Sequence, residues 1–463
     1  MNNPVRISRA SLGLESGILG PLAQAGDRAK NAASSLSSEL PHMNVRYRIQ
    51  GGKNLNGVVQ VSGSKNAALP LLAATLLTKG DCILQNVPRL RDTQTMLSIL
   101  EFLGATTSVV GTTVTVNTDA IVSKPIPHEL VSKLRGSIVL LGGLLARFGE
   151  VEMAYPGGCV LGKRPVGAHS DALLQMGIRD CSTDEKMCFK GKPRSSHVVL
   201  SEFSVTATEN ILLAAALAEG TTTIELAAAE PHVQDVCTFL MKRGVSIEGI
   251  GSHTLVVHGV KDLRQGGMHA VTPDYLEAGA LLLAGILTKG KVTVTGADRT
   301  HLTSFIGALR RAGAICSIEK NGDITADGAS SDLQATRIQT NIFPGFPTDL
   351  QAPFGVLLTQ AKGVSRIFEV LFEGRMAYLY ELEKMGAKIE ILNSHQALVI
   401  GPSMLEGRQV ASNDIRAGAA MVLAGLCAKG ETIVTDVRYI ERGYDRLEEK
   451  LKSLGAEIVR EEE

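Results

Sequence analysis

The chain has 463 residues, too many for one ordinary core, so more than one domain is expected. Lys plus Arg and Asp plus Glu each number 47, and no bulk field favours nucleic acid or an anionic membrane. Aromatics make up 4% with no tryptophan, which argues against stacking platforms for bases or sugars, and no uninterrupted apolar run reaches the roughly 18 residues of a spanning helix.

Residues 1–43 are rich in Ser, Ala, Asn and Leu and lack the compact apolar core of a secretory signal. They read as a disordered extension, and Met43, just before a strand-like run at 45–49, offers a second translation start. From there on, apolar helical runs closed by glycine recur at 69–80, 138–149, 211–220, 280–290, 354–363 and 421–430. The closing glycines are 69, 71, 70, 73 and 67 residues apart. Gly after an apolar helix is a common left-handed stop. A second, amphipathic helix in each unit ends at Gly104, Gly177, Gly244, Gly313, Gly386 and Gly455, as in residues 447–454. Short β-branched stretches such as 221–225, 291–295 and 431–434 lie between and after these helices. Six copies of a compact α/β unit of about 70 residues are predicted, the first helix of each buried and the second covering it.

The register singles out six helix starts. Counting back 14 or 15 residues from each closing glycine reaches Lys65, Arg135, Thr206, Leu276, Asp349 and Arg416. A neutral cap or an acid is the ordinary choice there, because a cation opposes the helix dipole. Three cations at equivalent starts point to bound anions. A second candidate is the loop Pro156-Gly157-Gly158-Cys159-Val160-Leu161-Gly162-Lys163-Arg164-Pro165. It sets a thiol among turn residues with two cations close behind, which stabilise a thiolate and attract anions. The seven cysteines, Cys82, Cys159, Cys181, Cys188, Cys237, Cys316 and Cys427, are scattered, odd in number and without a CxxC pair. A reducing compartment with no disulfide framework and no zinc site is the expectation.

Ser62-Gly63-Ser64-Lys65-Asn66-Ala67-Ala68-Leu69-Pro70 resembles the opening motif of the UDP-N-acetylglucosamine 1-carboxyvinyltransferase (enolpyruvyl transferase) family. Arg135-Gly136-Ser137, the cysteine loop, Ser204-Val205-Thr206-Ala207-Thr208, Pro347-Thr348-Asp349-Leu350-Gln351, Phe372-Glu373-Gly374-Arg375, Asp414-Ile415-Arg416 and Glu441-Arg442-Gly443-Tyr444 resemble its later blocks, in order. The likeness runs from about residue 44 to the end. It implies a two-domain inside-out α/β barrel of six repeated units, three per domain. One domain would be 65–272 and the other 44–64 plus 273–463, with the core helices pointing their N-termini at the cleft.

The resemblance also implies the reaction: transfer of the enolpyruvyl group of phosphoenolpyruvate to the 3′-hydroxyl of UDP-N-acetylglucosamine with release of phosphate, the first committed step of peptidoglycan synthesis. No cofactor and no metal is implied, the partners are the two small substrates, and the compartment is the cytoplasm. Cys159 corresponds to the general acid and site of a covalent adduct, and Asp349 to the carboxylate near the sugar hydroxyl. Lys65, Arg164 and Arg442 correspond to the grip on phosphoenolpyruvate. Asn66, Arg135, Arg164, Pro165, Val166, Gly167, Ala168, Ser204, Val205, Thr206, Asp349 and Leu371 correspond to the nucleotide-sugar side, with His169 nearby and Arg375 and Arg416 as further cleft cations. The other six cysteines are expected to be buried or incidental thiols. Gly167 and Glu202 depart from the Asp and Lys often found at these places in the family. The sister shikimate-pathway enolpyruvyl transferases share the reaction but lack the cysteine loop. A catalytically silent paralogue is the reading from a different class.

Overall fold

The computed structural model describes residues 45–157 and 166–462. The extension 1–43 and the residues Cys159, Arg164 and Pro165 lie outside the described residues. In chain order the helices are α1 (Lys65–Ala74), α2 (Arg91–Leu103), the short α3 (His128–Val131), α4 (Leu140–Phe148), α5 (Gly167–Gln175), α6 (Val205–Ala216) and α7 (Pro231–Lys242). They continue with α8 (Tyr275–Leu287), α9 (Thr303–Arg311), α10 (Gln351–Gln360), α11 (Tyr378–Lys384), α12 (Ile415–Cys427) and α13 (Leu447–Ser453).

Six helices, α1, α4, α6, α8, α10 and α12, are those the glycine period marks as buried. Every residue of α8 is buried, from Tyr275 to Leu287, because its circumference is apolar apart from Glu277, whose carboxylate accepts from Ser62 N and Lys450 Nζ. The glycines closing the second helices all adopt positive φ, from 78° at Gly313 to 111° at Gly104. The first set works differently. Only Gly149 caps its helix directly. Gly290 instead leaves the left-handed turn to Lys289 (φ 54°), and a Cβ there would lie 1.8 Å from the Leu55 carbonyl oxygen. Close backbone approach, rather than helix termination, requires that glycine.

Each core helix leads into a strand of a small sheet; in five units the hairpin after the outer helix adds two more strands, and in the last the N-terminal strand Val45–Gln50 is inserted between Glu431–Thr435 and Glu457–Glu462. Five sheets have four strands and the sixth has three. In three of the units the fourth strand directly precedes its own core helix. His197–Val199, for instance, runs parallel to Gly220–Glu225 across α6, a standard βαβ crossover. Two units exchange this strand. Asn56–Gln60 leads into α1 yet pairs with Lys291–Thr295 after α8, while Gly267–Ala270 leads into α8 yet pairs with Asp81–Gln85 after α1. The two crossing segments meet at an antiparallel bridge between Gly63 and Pro273, where Ser64 N donates to Thr272 O and Asp274 N to Ser62 O, both at 2.8 Å.

The buried apolar side chains form two clusters. One draws on Val45 to Val61 and Tyr275 to Ile458, the other on Ala67 to Val271. The architecture is thus mixed α/β with six repeated units. No helix among the described residues is long and apolar enough to cross a membrane.

One expectation about the cysteines is corrected. Cys181 and Cys188 form a disulfide with Cα atoms 4.9 Å apart. The two-residue strand Arg179–Asp180 pairs antiparallel with Lys186–Lys190, Asp180 facing Phe189. The next rung therefore sets Cys181 opposite Cys188, with Cys181 N donating to Cys188 O at 2.7 Å. Cys82, Cys237 and Cys316 are buried free thiols, and Cys427 is a half-buried one.

Candidate active site

The six positions picked out by the glycine register stand at or beside helix starts. Lys65 is the first residue of α1, and Arg135 opens the 3-10 turn Arg135–Val139 that runs into α4. Thr206, Leu276 and Arg416 are second residues of α6, α8 and α12, and Asp349 sits in the turn Thr348–Leu350 before α10. Three of these starts are capped by their preceding residue. The Ser204 hydroxyl accepts from Ala207 N, Asp274 from Leu276 N and Glu277 N, and Asp414 from Arg416 N and Ala417 N.

Lys65, Asp92 and Arg442 form one ionic cluster. Asp92, at the first turn of α2, is 3% exposed. Its Oδ2 accepts from Lys65 Nζ at 3.3 Å and its Oδ1 from Arg442 Nε at 2.9 Å. Burial pushes the Lys65 ammonium below its ordinary pKa; Asp92 opposes this, whereas Arg416 and Arg442 add to it. A lysine in that position gains strongly from an incoming anion.

The second cluster centres on Asp349. Arg375 Nη1 donates to its Oδ1 at 2.6 Å and Arg416 Nε to its Oδ2 at 3.0 Å. Burial raises the Asp349 pKa, but the two guanidiniums outweigh it and hold the carboxyl well below the usual carboxylate range. Held this way, Asp349 is a weak base until one arginine lets go. Arg375 also donates to Thr348 Oγ1 at 3.2 Å. Arg375 Nε and Arg416 Nη1 are buried without a hydrogen-bond partner among the described residues. Donors left over after a carboxylate is served are what an oxyanion ligand would take.

The remaining candidates lie around these clusters. Asn66 follows Lys65 and is half-buried. Arg135 Nη1 donates to the Pro156 carbonyl at 3.4 Å, joining that helix start to the segment where the cysteine loop begins. Val166 is half-buried, Gly167 is exposed and Ala168 is buried, at and beyond the start of α5. Ser204, Val205 and Thr206 are all half-buried. Leu371 stands in the turn after the strand Gly363–Phe368, where its N–H donates to Glu369 Oε1 at 2.9 Å.

These features invite comparison with known proteins. A family model described as EPSP synthase (3-phosphoshikimate 1-carboxyvinyltransferase) matches residues 49–451. The UDP-N-acetylglucosamine 1-carboxyvinyltransferase of Magnetococcus marinus is 43% identical over 417 residues, 89% of this chain and 98% of that protein. The one from Aeromonas hydrophila is 44% identical over 418 residues, 90% of this chain and 99% of that protein. The chain belongs to the UDP-N-acetylglucosamine 1-carboxyvinyltransferase family. Among solved structures, the enolpyruvyl transferase NikO from Streptomyces tendae superposes with a TM-score of 0.83 at 26% identity, covering 91% of this chain and 100% of NikO. EPSP synthase from Acinetobacter baumannii matches in fold alone, with a TM-score of 0.71 at 19% identity over 90% of this chain and 100% of its own.

As a member of the UDP-N-acetylglucosamine 1-carboxyvinyltransferase family, the chain also has site residues that sequence reasoning passed over. Asp92 is one, since an acid at a helix start looks like an ordinary dipole partner. Glu369 is another. Fully buried, it accepts from Thr340 Oγ1, Thr348 Oγ1 and the Leu371 and Phe372 N–H groups, tying the Asp349 turn to the Leu371 turn. No local sequence signal marks it. Asn210 is a third, taken up below.

Proposed function

We propose that this protein transfers the enolpyruvyl group of phosphoenolpyruvate to the 3′-hydroxyl of UDP-N-acetylglucosamine, releasing phosphate and supplying peptidoglycan synthesis in the cytoplasm. The observation that carries this reading is the meeting of Lys65 and Arg442 on Asp92, alongside Asp349 held between Arg375 and Arg416. Phosphoenolpyruvate presents a phosphate and a carboxylate on three carbons. Several closely spaced cations suit it, and arginine adds a bidentate fork.

In this reading Lys65, Arg164 and Arg442 hold phosphoenolpyruvate. Asn66, Arg135, residues 164–168, residues 204–206 and Leu371 hold the nucleotide sugar. Cys159 delivers the proton that C3 of the enol must gain as the sugar oxygen adds to C2, and the tetrahedral ketal then loses a proton and phosphate. Asp349 stands by the sugar hydroxyl. It accepts the hydroxyl's own proton as that oxygen adds to C2, once substrate has drawn Arg375 or Arg416 away, because only then does its basicity rise. The two domains are residues 65–272 and residues 44–64 with 273–463, and the sites fall between the helix starts of both.

The test is phosphate release from phosphoenolpyruvate by the purified chain. Release that depends on UDP-N-acetylglucosamine is expected. Turnover of shikimate 3-phosphate in its place would overturn the assignment.

A further inference from the structure

We infer that the Thr206 hydroxyl is a fixed hydrogen-bond donor to a phosphate or carbonyl oxygen of the nucleotide sugar, its direction imposed by Asn210 acting through His169. The identity of the ligand rests on the proposed function; the direction of the donor does not.

The direction follows from groups that can play only one role. Gly142 N–H in α4 can only donate, and it meets Asn210 Oδ1 at 2.7 Å. The Ile138 carbonyl can only accept, and it takes Asn210 Nδ2 at 2.9 Å. These two bonds settle which way the Asn210 amide faces. Its second N–H therefore points at His169 Nδ1, 2.8 Å away, so that nitrogen carries no proton. A neutral imidazole must then hold its proton on Nε2 and give it to Thr206 Oγ1 at 3.1 Å.

Neutrality is secured by surroundings. His169 is 3% exposed, and burial first, then the charge of Arg135, push its pKa down to about 3. A hydroxyl that accepts from His169 turns its own proton elsewhere. Thr206 is half-buried at the second position of α6, and no acceptor among the described residues takes that proton. Asn210, completely buried, spends all its amide bonding on keeping this polarity. The arrangement joins three core elements at one point: the Arg135–Val139 turn, α4 and α6.

Two measurements on the full chain test the inference. Nitrogen-15 NMR of labelled histidine should show His169 as the Nε2–H tautomer, unchanged between about pH 5 and 9, a range well above its depressed pKa. Thr206→Val keeps the shape and removes the hydroxyl. It should lower kcat/KM for UDP-N-acetylglucosamine by about tenfold, acting on KM, with KM for phosphoenolpyruvate unchanged and Thr206→Ser restoring the parent value. An Nδ1–H or imidazolium signal for His169 at neutral pH would sink the donor direction whatever the activity. Parent-like kinetics in Thr206→Val would sink the contact. A parent chain inert toward UDP-N-acetylglucosamine, with the Nε2–H signal present, would overturn the proposed function and the ligand named here.

Discussion

Asp92 and Arg442 are 350 residues apart in sequence, yet Arg442 Nε donates to Asp92 Oδ1 at 2.9 Å. The same carboxylate receives Lys65 through its other oxygen. One buried acid thus aligns two cations, Lys65 just before Ala67 of one hydrophobic cluster and Arg442 between Ile440 and Tyr444 of the other. The acid neutralises part of their mutual repulsion.

Asp92→Asn is the direct probe of that alignment. The amide keeps the volume but removes the charge and turns an N–H toward a cation. Asp92 raises the Lys65 pKa, so its loss lowers it further, and Lys65 loses its proton at a lower pH than before. The expected result is a drop in kcat/KM for phosphoenolpyruvate of about tenfold or more, with the alkaline limb of the pH profile moved to lower pH. An unmoved alkaline limb would show that Asp92 does not act through Lys65.

Asp349→Asn separates charge from shape in the second cluster. Two buried arginines lose their shared counter-ion, and the fold should weaken by about 3 kcal/mol at neutral pH. Because the folded-state pKa of Asp349 is depressed, its contribution is complete above the unfolded value of about 4 and fades only as pH falls through the lower folded value. Urea unfolding at pH 7 and in mild acid should therefore give nearly the same gap between parent and variant. A gap that closes already near pH 5 would contradict the pairing.

Much of this site was legible in sequence because its anchors obey a period. Gly104, Gly177 and their counterparts stop helices at a near-constant spacing, and counting back from the other glycine set reached Lys65, Asp349 and Arg416 at or beside helix starts. What stayed hidden depends on tertiary choices that leave no local pattern. Asp92 and Glu369 are ordinary acids until packing brings cations or hydroxyls to them. The exchange of Asn56–Gln60 and Gly267–Ala270 between sheets is equally silent, since strands of five and four residues carry no record of their partners. The Cys181–Cys188 bond needed the register of a two-residue strand, too short to show alternation.

The cysteine loop yields a chemical prediction. Fosfomycin, which alkylates the loop cysteine of this family, should inactivate the enzyme with loss of one free thiol, at Cys159 by peptide mapping. Cys159→Asp should remain active and resist the drug, since a carboxylic acid can also protonate the enol carbon. Inactivation without modification of Cys159, or a drug-sensitive Cys159→Asp, would remove the proposed role.

Gly167 offers a gain-of-stability test at the nucleotide side. It opens α5, has no positive φ, and a Cβ built there meets nothing within 4 Å. No acid occupies the first turn of that helix. Gly167→Asp should therefore stabilise the fold by about 1 kcal/mol, part from reduced freedom of the unfolded chain and part from the helix dipole, and Gly167→Ala should recover only the first part. The position falls within the stretch assigned to the nucleotide sugar, where relatives often carry this carboxylate. If it contributes a hydrogen bond, KM for UDP-N-acetylglucosamine should fall by about fivefold in the Asp variant and stay put in the Ala variant. Equal KM values in both would mean that the carboxylate has no part in binding, and that backbone groups around Val166 and Ala168 suffice.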